Sequence, residues 1–265
     1  MKIIDFSVIV TLYYGIKPKH LEIALRSIFR NSLVPNEVIL VQDGPISKKL
    51  SNIIDKYNHK IKHYILEKNK GSSYSFNYAI EKCSYDWIIK QDADDFSHKD
   101  RFETSMKYIK NEPMFFGSLM NEKYNRATFL KKVPIKPENI KKIIKYRNPF
   151  NNPTMCFHKR IFLETRGYPN IFLKEDWAWW INIIYKYKNF NIDKILVTSI
   201  DSKDLFSRRQ GIHNIKSEFL IQKLCIKKGL STILESFFIY LIRVTILIMP
   251  YGLLKTIYLK FLRDK

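Results

Sequence analysis

Glycine is scarce in this chain, with eight among 265 residues, and cysteine is scarcer, with three. So few glycines argue against a phosphate-cradling loop, and no GxxxxGK sequence is present. Cys83, Cys156 and Cys225 are odd in number, widely spaced and without a CxxC pair. That argues against a disulfide framework or zinc site and fits a reduced, cytosolic-side protein. No internal repeat or low-complexity linker is visible. Long apolar runs are also lacking. The opening MKIIDFSVIVTLYY has a short apolar stretch without a small-residue cleavage site, and reads as a first buried strand rather than a signal peptide. The stretch from Phe237 to Met249 falls short of the roughly 20 residues of a membrane span and carries Arg243 inside it.

Acids are the minority charge, 25 against 46 Lys and Arg, for a formal net charge of +21. The basic residues are scattered. They form a solvated surface or face an anionic partner: nucleotide phosphates, nucleic acid or an anionic membrane. Against this background DWIIKQDADDFSHKD crowds Asp92, Asp94 and Asp95 at the end of an apolar run. Carboxylates this close repel one another unless a cation, water or hydrogen-bond donors compensate. A bound divalent metal would do so economically. The alternative is a solvated turn, with Ser97 and Asp100 of SHKD as a capping pair for the next helix.

Hydrophobic residues make up 46% of the chain, enough for a substantial core in one large domain or two small ones. The first hundred residues alternate between β-branched runs and segments with helical spacing. FSVIVTL, EVILVQD, IKHYILE and DWIIKQD read as strands; HLEIALRSIFRNS, KKLSNIIDKY and SYSFNYAIEKC read as helices. This order predicts an α/β fold built of right-handed βαβ units on a parallel sheet covered on both faces. Ligands of such sheets bind beyond the carboxyl ends of the strands. There the first strand ends at Thr11, with Tyr13 beyond it, the second at Asp43, and the fourth at the acid cluster. Asp43 in QDGP is also an ordinary turn residue.

The second half is less regular. PTMCFH reads as a strand after an Asn/Pro-rich loop, and KEDWAWWINIIYKY as a helix with Glu175 and Asp176 at its start, where the macrodipole favours acids. Trp177, Trp179 and Trp180 are either core or a face on which a sugar stacks. The segment from Ser231 onward, rich in Leu, Ile, Phe and Tyr, reads as helices lying in a membrane interface or as a hairpin packed on the domain.

The ordered set SVIVTLYY, LRSIFRNSLVPNEVILVQDGP, EKNKGSSYSFNYAIEKCSYDWIIKQDADD, RNPFNNPTMCFHK, GYPNIFLKEDWAWWI and RRQG resembles the family 2 glycosyltransferases of GT-A fold. It is most similar to the branch that builds bacterial capsule, exopolysaccharide and O-antigen repeat units. A lone DxD is weak evidence; the whole set spans nearly the entire chain. The resemblance implies a Rossmann-like, mostly parallel sheet with helices on both faces and a C-terminal helical extension. It implies a nucleotide-sugar half over residues 1–115, an acceptor half over 116–210, and a membrane-associating extension over 211–265. It implies an inverting transfer from a nucleotide-sugar, a UDP-sugar by preference, aided by Mn2+ or Mg2+. Thr11, Tyr13 and Asp43 match positions that hold the nucleoside, Asp92 the position near ribose and metal, and Asp94 the direct metal ligand. Asp176 matches the catalytic base, with Glu175 orienting it. Arg208 and Arg209 resemble a basic loop that closes over diphosphate, unless they are surface charge. The acceptor would be a glycan or a polyprenyl-diphosphate-linked sugar, which places the enzyme peripherally on the cytoplasmic face of the inner membrane. Phe237, Phe238, Leu241 and Ile242 would supply apolar area there, and Lys227, Lys228, Arg243, Lys255, Lys260 and Arg263 would meet anionic head groups.

The chain departs from the family pattern in places. Relatives often carry Arg where this chain has Phe76, so Lys70 or another cation meets the phosphates if any does. Relatives often have His at the position of Asn152, which can hydrogen-bond here, for instance to an acceptor, but cannot transfer a proton. Two other readings compete. A nucleotidyltransferase would use the same acids but want a glycine-rich loop. A nucleic-acid-binding protein would want a basic stripe with interleaved aromatics, whereas the most organised feature here is acidic, so no nucleic-acid partner is expected.

Overall fold

The computed structural model describes residues 4–125, 127–200, 211–250 and 252. Strands β1 (Phe6–Leu12), β2 (Glu37–Asp43), β3 (Lys62–Leu66) and β4 (Trp87–Asp92) alternate with helices α1 (Pro18–Phe29), α2 (Lys48–Asp55) and α3 (Ser72–Lys82). The local chemistry explains these boundaries. Pro18 opens α1, where its missing N–H costs nothing. The Ser47 side chain accepts from the Leu50 N–H and caps α2. All seven residues of β2 are buried, which is why its sequence is a continuous apolar run rather than an alternation.

β1 pairs in parallel with β2 and with β4, and β2 pairs in parallel with β3. Val8, Val10, Val38, Leu40 and Ile89 face α1 and α2, together with α4 (Arg101–Ile109). Ile9, Ile39, Val41 and Ile88 face the other way, onto α3. The chain therefore changes sheet face between β3 and β4. With the strand order β3-β2-β1-β4, the topological switch lies between β1 and β4.

The remaining strands are β5 (Asp95–Ser97), β6 (Phe115–Tyr124), β7 (Ala127–Lys131), β8 (Cys156–His158) and β9 (Asn189–Ser199). They continue the same sheet in the order β8-β6-β9-β5, with β7 beside β6. β8 is antiparallel to β4 and β6, while β6 and β9 are parallel. The result is an α/β sheet that is parallel in its first half and mixed in its second. Because β5 pairs with β9, the acid cluster is tied to the far half of the molecule. Further helices are α5 (Pro137–Ile143), α6 (Lys159–Thr165), α7 (Glu175–Ile183), α8 (Ile212–Lys227) and α9 (Ile233–Ile248).

Two local expectations need correction. Only Cys156–His158 of PTMCFH is strand; Asn152–Thr154 form a 3-10 turn, closed by the Thr154 N–H and hydroxyl, both donating to the Asn151 carbonyl. Ser97 and Asp100 do not form a capping pair. Ser97 lies in β5, its hydroxyl donating to Gln91 Oε1 at 2.5 Å, and the Asp100 carboxylate pairs with Lys194 instead.

Candidate active site

Two of the expected residues meet at the switch point. Thr11 and Asp92 are register partners across β1 and β4. Asp92 ends β4, Ala93 and Asp94 make the turn, and Asp95 opens β5. Asp92 and Asp94 are half-buried, whereas Asp95 is 3% exposed. Burial pushes the Asp95 carboxyl well above its ordinary range, and the charges of Asp92 and Asp94 push it further. The Lys90 charge and a hydrogen bond with Ser199 oppose that rise.

Beneath the loop lies Arg101, fully buried and absent from the sequence-based set. Its Nη1 donates to Gln91 Oε1 and Ser97 Oγ, both at 2.8 Å, and its Nη2 donates to the carbonyls of Lys90 at 2.6 Å and Pro153 at 2.8 Å. One planar guanidinium thereby locks the acid turn to the Asn/Pro-rich loop. Lys90 was also missed. Its ammonium pairs with Asp92 Oδ1 and sits 4.2 Å from the Phe76 ring centroid. Its signal in the sequence was a lone Lys in an apolar strand, two residues before the first acid and so on the same face.

On the β2 side, Asp43 is 4% exposed and its carboxylate is engaged with backbone. Oδ1 accepts from the Lys70 N–H at 2.6 Å and Oδ2 from the Gly71 N–H at 2.9 Å. Asp43 thus supplies from another loop the acceptor missing at the start of α3, where Gly71 has φ 86°. Gly44 lets this happen, because a Cβ there would come within 2.6 Å of the Asn69 nitrogen. Lys70 is exposed, its ammonium donating to the Tyr74 hydroxyl at 3.1 Å. Tyr13 packs its ring against Gly15, where a Cβ would lie 2.4 Å from the ring edge.

Asp176 opens α7 from the other half. Its Oδ2 accepts from Asn148 Nδ2 at 2.7 Å, and its Oδ1 accepts from the Trp177 N–H at 2.7 Å. Burial raises its carboxyl to about 6, with neighbouring Glu175 adding to the rise and the Trp177 N–H, Lys90 and Lys131 opposing it. Glu175 does not hold Asp176 by a hydrogen bond. Its Oε1 accepts from the Ser72 hydroxyl at 2.6 Å and so joins α7 to α3. Asn148 is the residue that orients Asp176, and it lies in the Asn/Pro-rich loop rather than in the ED pair.

Other expected residues fall elsewhere. Trp177, Trp179 and Trp180 are at most 3% exposed and offer no face to a sugar. Trp177 Nε1 donates to the Ile144 carbonyl and Trp179 Nε1 to the Thr165 hydroxyl, and Trp180 stacks on Phe115. They are core because α7 is buried all round. Asn152 is half-buried beside Tyr168, whose hydroxyl lies 3.5 Å from its Oδ1. Arg208 and Arg209 lie outside the described residues.

Among the described residues, no three His, Cys, Asp or Glu side chains form a ready-made metal cage. Asp92 and Asp94 still fit a hard divalent cation, which binds through one or two carboxylates and completes its shell with water and substrate phosphates.

The model of Glycosyl transferase family 2 matches residues 7–167. The chain belongs to this family. Among curated relatives, it is 34% identical over 225 residues to the UDP-Gal:alpha-D-GlcNAc-diphosphoundecaprenol beta-1,3-galactosyltransferase of Escherichia coli, covering 82% of each chain. It is 27% identical to the amylovoran biosynthesis glycosyltransferase AmsE of Erwinia amylovora, over 96% of this chain and 98% of that one. Among solved structures, TarS residues 1–349 of S. aureus in complex with UDP-GlcNAc superimposes with a TM-score of 0.66, at 19% identity, over 84% of this chain and 67% of that one. The mannosyltransferase PcManGT of Pyrobaculum calidifontis, in complex with GDP-Man and Mn2+, gives a TM-score of 0.64 at 14% identity, over 95% of this chain and 72% of that one. At these identities the two structures support the GT-A fold alone. This family 2 enzyme is a glycosyltransferase of the bacterial surface-polysaccharide branch.

Proposed function

We propose that this glycosyltransferase moves a sugar from a UDP-sugar to a hydroxyl of a lipid-linked diphosphate glycan, with inversion at the anomeric carbon. The observation that carries the reading is the pairing of two environments at one sheet edge: an acid turn over a buried cation, and a carboxyl on the facing helix raised to about 6. A base poised near neutrality fits proton abstraction from a sugar hydroxyl.

In this reading residues 1–115 hold the donor. Thr11 and Tyr13 line the nucleoside, Asp43 fixes the loop that carries Lys70, and Asp92 and Asp94 would hold Mn2+ or Mg2+. When bound, the metal supplies charge stabilisation for the departing nucleoside diphosphate. Residues 116–210 present the acceptor. Asp176 takes the hydroxyl proton as the acceptor oxygen forms its bond to the anomeric carbon. The bond from that carbon to the phosphate oxygen breaks, its electron pair leaves with UDP, and one displacement inverts the centre. Asn148 keeps the receiving carboxylate aimed, and Asn152 and the Arg208/Arg209 segment are further candidates for contact with the substrates.

Residues 211–265 would hold the enzyme on the cytoplasmic face of the membrane, where a lipid-linked acceptor is confined. No described helix is long and apolar enough to cross a membrane. α9 nonetheless leaves Leu234, Phe237, Phe238 and Ile242 more than half exposed. Lys227 and Lys228, at the end of α8, are exposed close by in sequence.

The test is turnover of UDP-galactose, UDP-glucose and UDP-N-acetylglucosamine with a short-chain lipid diphosphate sugar as acceptor, with and without excess EDTA, and with Asp94→Ala. Metal-dependent transfer that Asp94→Ala abolishes is expected, with inversion read by NMR of the product. Full activity in EDTA, or a retained anomeric configuration, would overturn the reading.

A further inference from the structure

Lys90 poses a physical problem. Its side chain is 1% exposed, in a strand whose preceding residues are Trp87, Ile88 and Ile89. Burying an ammonium costs several kcal/mol unless good partners offset it. An apolar residue against Phe76, as Ile88 is within the same core, would fill the space without that cost. Folding alone therefore gives no reason for a charge here. The partners found are all at the candidate site: Asp92 Oδ1, which receives the ammonium, and the Phe76 ring, 4.2 Å from it. The same charge opposes the rise that burial imposes on the Asp176 carboxyl. Lys70, the cation expected from sequence, is instead exposed and folded onto Tyr74, 4.3 Å from its ring centroid.

We propose that Lys90 is a positioning residue for the transfer reaction: a fixed internal cation that holds the Asp92 carboxylate toward the donor and lays positive potential between Asp92 and Asp176. The proposal rests on the reading of this edge as the transfer site. It assigns to the protein's own side chain the task of balancing the acid cluster before any donor arrives. Arg101 adds positive charge beneath the same turn, but its described hydrogen bonds from Nη1 and Nη2 go to neutral oxygens of the scaffold, so it does not hold the Asp92 carboxylate. Electrostatic help of this kind is effective only when preorganised in a dry site, and the burial of Lys90 provides that.

The test compares wild type with Lys90→Met, which keeps length and apolar contact with Phe76, and Lys90→Arg, which keeps charge. The readouts are kcat, donor KM and the pH dependence of kcat on the acid side. The groups around Asp176 that set that limb are Glu175, the Trp177 N–H, Asn148, Lys131, Lys90 and the Tyr168 phenol. Lys90→Met is expected to fold, to lose about 10²-fold in kcat with a smaller change in donor KM, and to move the acid limb to higher pH. Lys90→Arg is expected to recover part of kcat and to leave the limb near its wild-type position. Wild-type kcat and an unmoved limb in Lys90→Met would overturn the proposal. Equal losses in both variants with an unmoved limb would overturn it too, by showing that shape and not charge matters. A wild-type enzyme that turns over no sugar nucleotide would overturn the transfer-site reading itself, and this proposal with it. Should Lys90→Met not fold, Lys90→Gln takes its place, with the same outcomes decisive.

Discussion

Arg243 of α9 donates to Glu218 of α8 from both Nε, at 2.9 Å, and Nη2, and Glu218 is wholly buried. Lys174, the residue before Glu175, pairs with the same Glu218 oxygen at 2.9 Å. Arg243 also lies 5.2 Å from the Trp177 ring centroid. The arginine read from sequence as a head-group contact is thus turned inward. It ties the C-terminal helices to the start of the helix that carries Asp176.

That triad gives a stability prediction. Burial alone would raise the Glu218 carboxyl, but Arg243 and Lys174 more than offset it and hold it below its ordinary value. Its stabilising contribution is therefore present above the unfolded pKa and is lost as pH falls through the lower folded pKa. Arg243→Met leaves a buried carboxylate with Lys174 alone, and should cost about 2–4 kcal/mol in denaturant unfolding at neutral pH. Glu218→Gln in the Arg243→Met background should return part of that loss, because the stranded charge is gone. Additive single and double losses would show that the two side chains are not coupled.

Asp176 predicts the opposite dependence. Its folded carboxyl is raised from 3.8 to about 6, so the folded state binds this proton more tightly than the unfolded chain does. The charged form therefore costs stability, fully above about pH 6 and not at all below the unfolded value near 4. Asp176→Asn should abolish transfer yet stabilise the protein by about 1–3 kcal/mol at pH 8. The gain should vanish near pH 4. Urea unfolding of both proteins at the two pH values reads it, and equal stability at pH 8 would contradict the assigned environment.

Much of this edge was legible in the sequence because strand ends are legible. Short β-branched runs alternating with segments of helical spacing marked β1 to β4, and parallel topology put the strand ends at Thr11, Asp43 and the acid cluster along one edge without reference to any side-chain contact. What escaped were contacts across long separations. Nothing local says that Asp43 will accept from the Lys70 and Gly71 N–H groups, or that Glu175 will turn to Ser72 and leave Asp176 to Asn148. Arg101 reads as an ordinary helix residue until β4, β5 and the 3-10 turn close around it. The tryptophans, which the sequence left between core and a sugar-stacking face, are core, because helix α7 is packed by neighbours that the sequence does not order in space.

Asn148 is the most exposed to test of the missed residues. It donates to Asp176 Oδ2 from a side chain whose own Oδ1 accepts from the Phe150 N–H at 3.1 Å, so its orientation is set locally. A hydrogen bond to the charged form favours that form. Asn148→Ala should lower kcat about tenfold or more, with donor affinity retained, and shift the acid limb of activity upward. Stability should fall by only about 1 kcal/mol. A variant that loses donor affinity while keeping kcat would place Asn148 with the donor instead.

The exposed face of α9 carries the last prediction. Only Ser236 and Ile239 of this helix are buried, although twelve of its sixteen residues are apolar or aromatic. Solvent-facing apolar area on this scale marks a surface that meets something. A lipid-linked acceptor makes a membrane the natural occupant, and the cations Lys223, Lys227 and Lys228 lie exposed toward the end of the preceding helix. Each can add on the order of 1 kcal/mol near an anionic surface. Because Arg243 anchors α9 from within, removing the helix would strand Glu218 and confuse folding with docking. Paired surface substitutions, Phe238→Glu with Ile242→Glu, avoid that. The intact protein should float with vesicles containing anionic lipid and release at high salt. The doubly substituted protein should stay unbound at every salt concentration while turning over a short-chain, water-soluble acceptor at the wild-type rate. Equal flotation of both would mean that α9 does not touch the bilayer. Loss of turnover on the soluble acceptor would mean that the face packs against the acceptor site rather than against lipid.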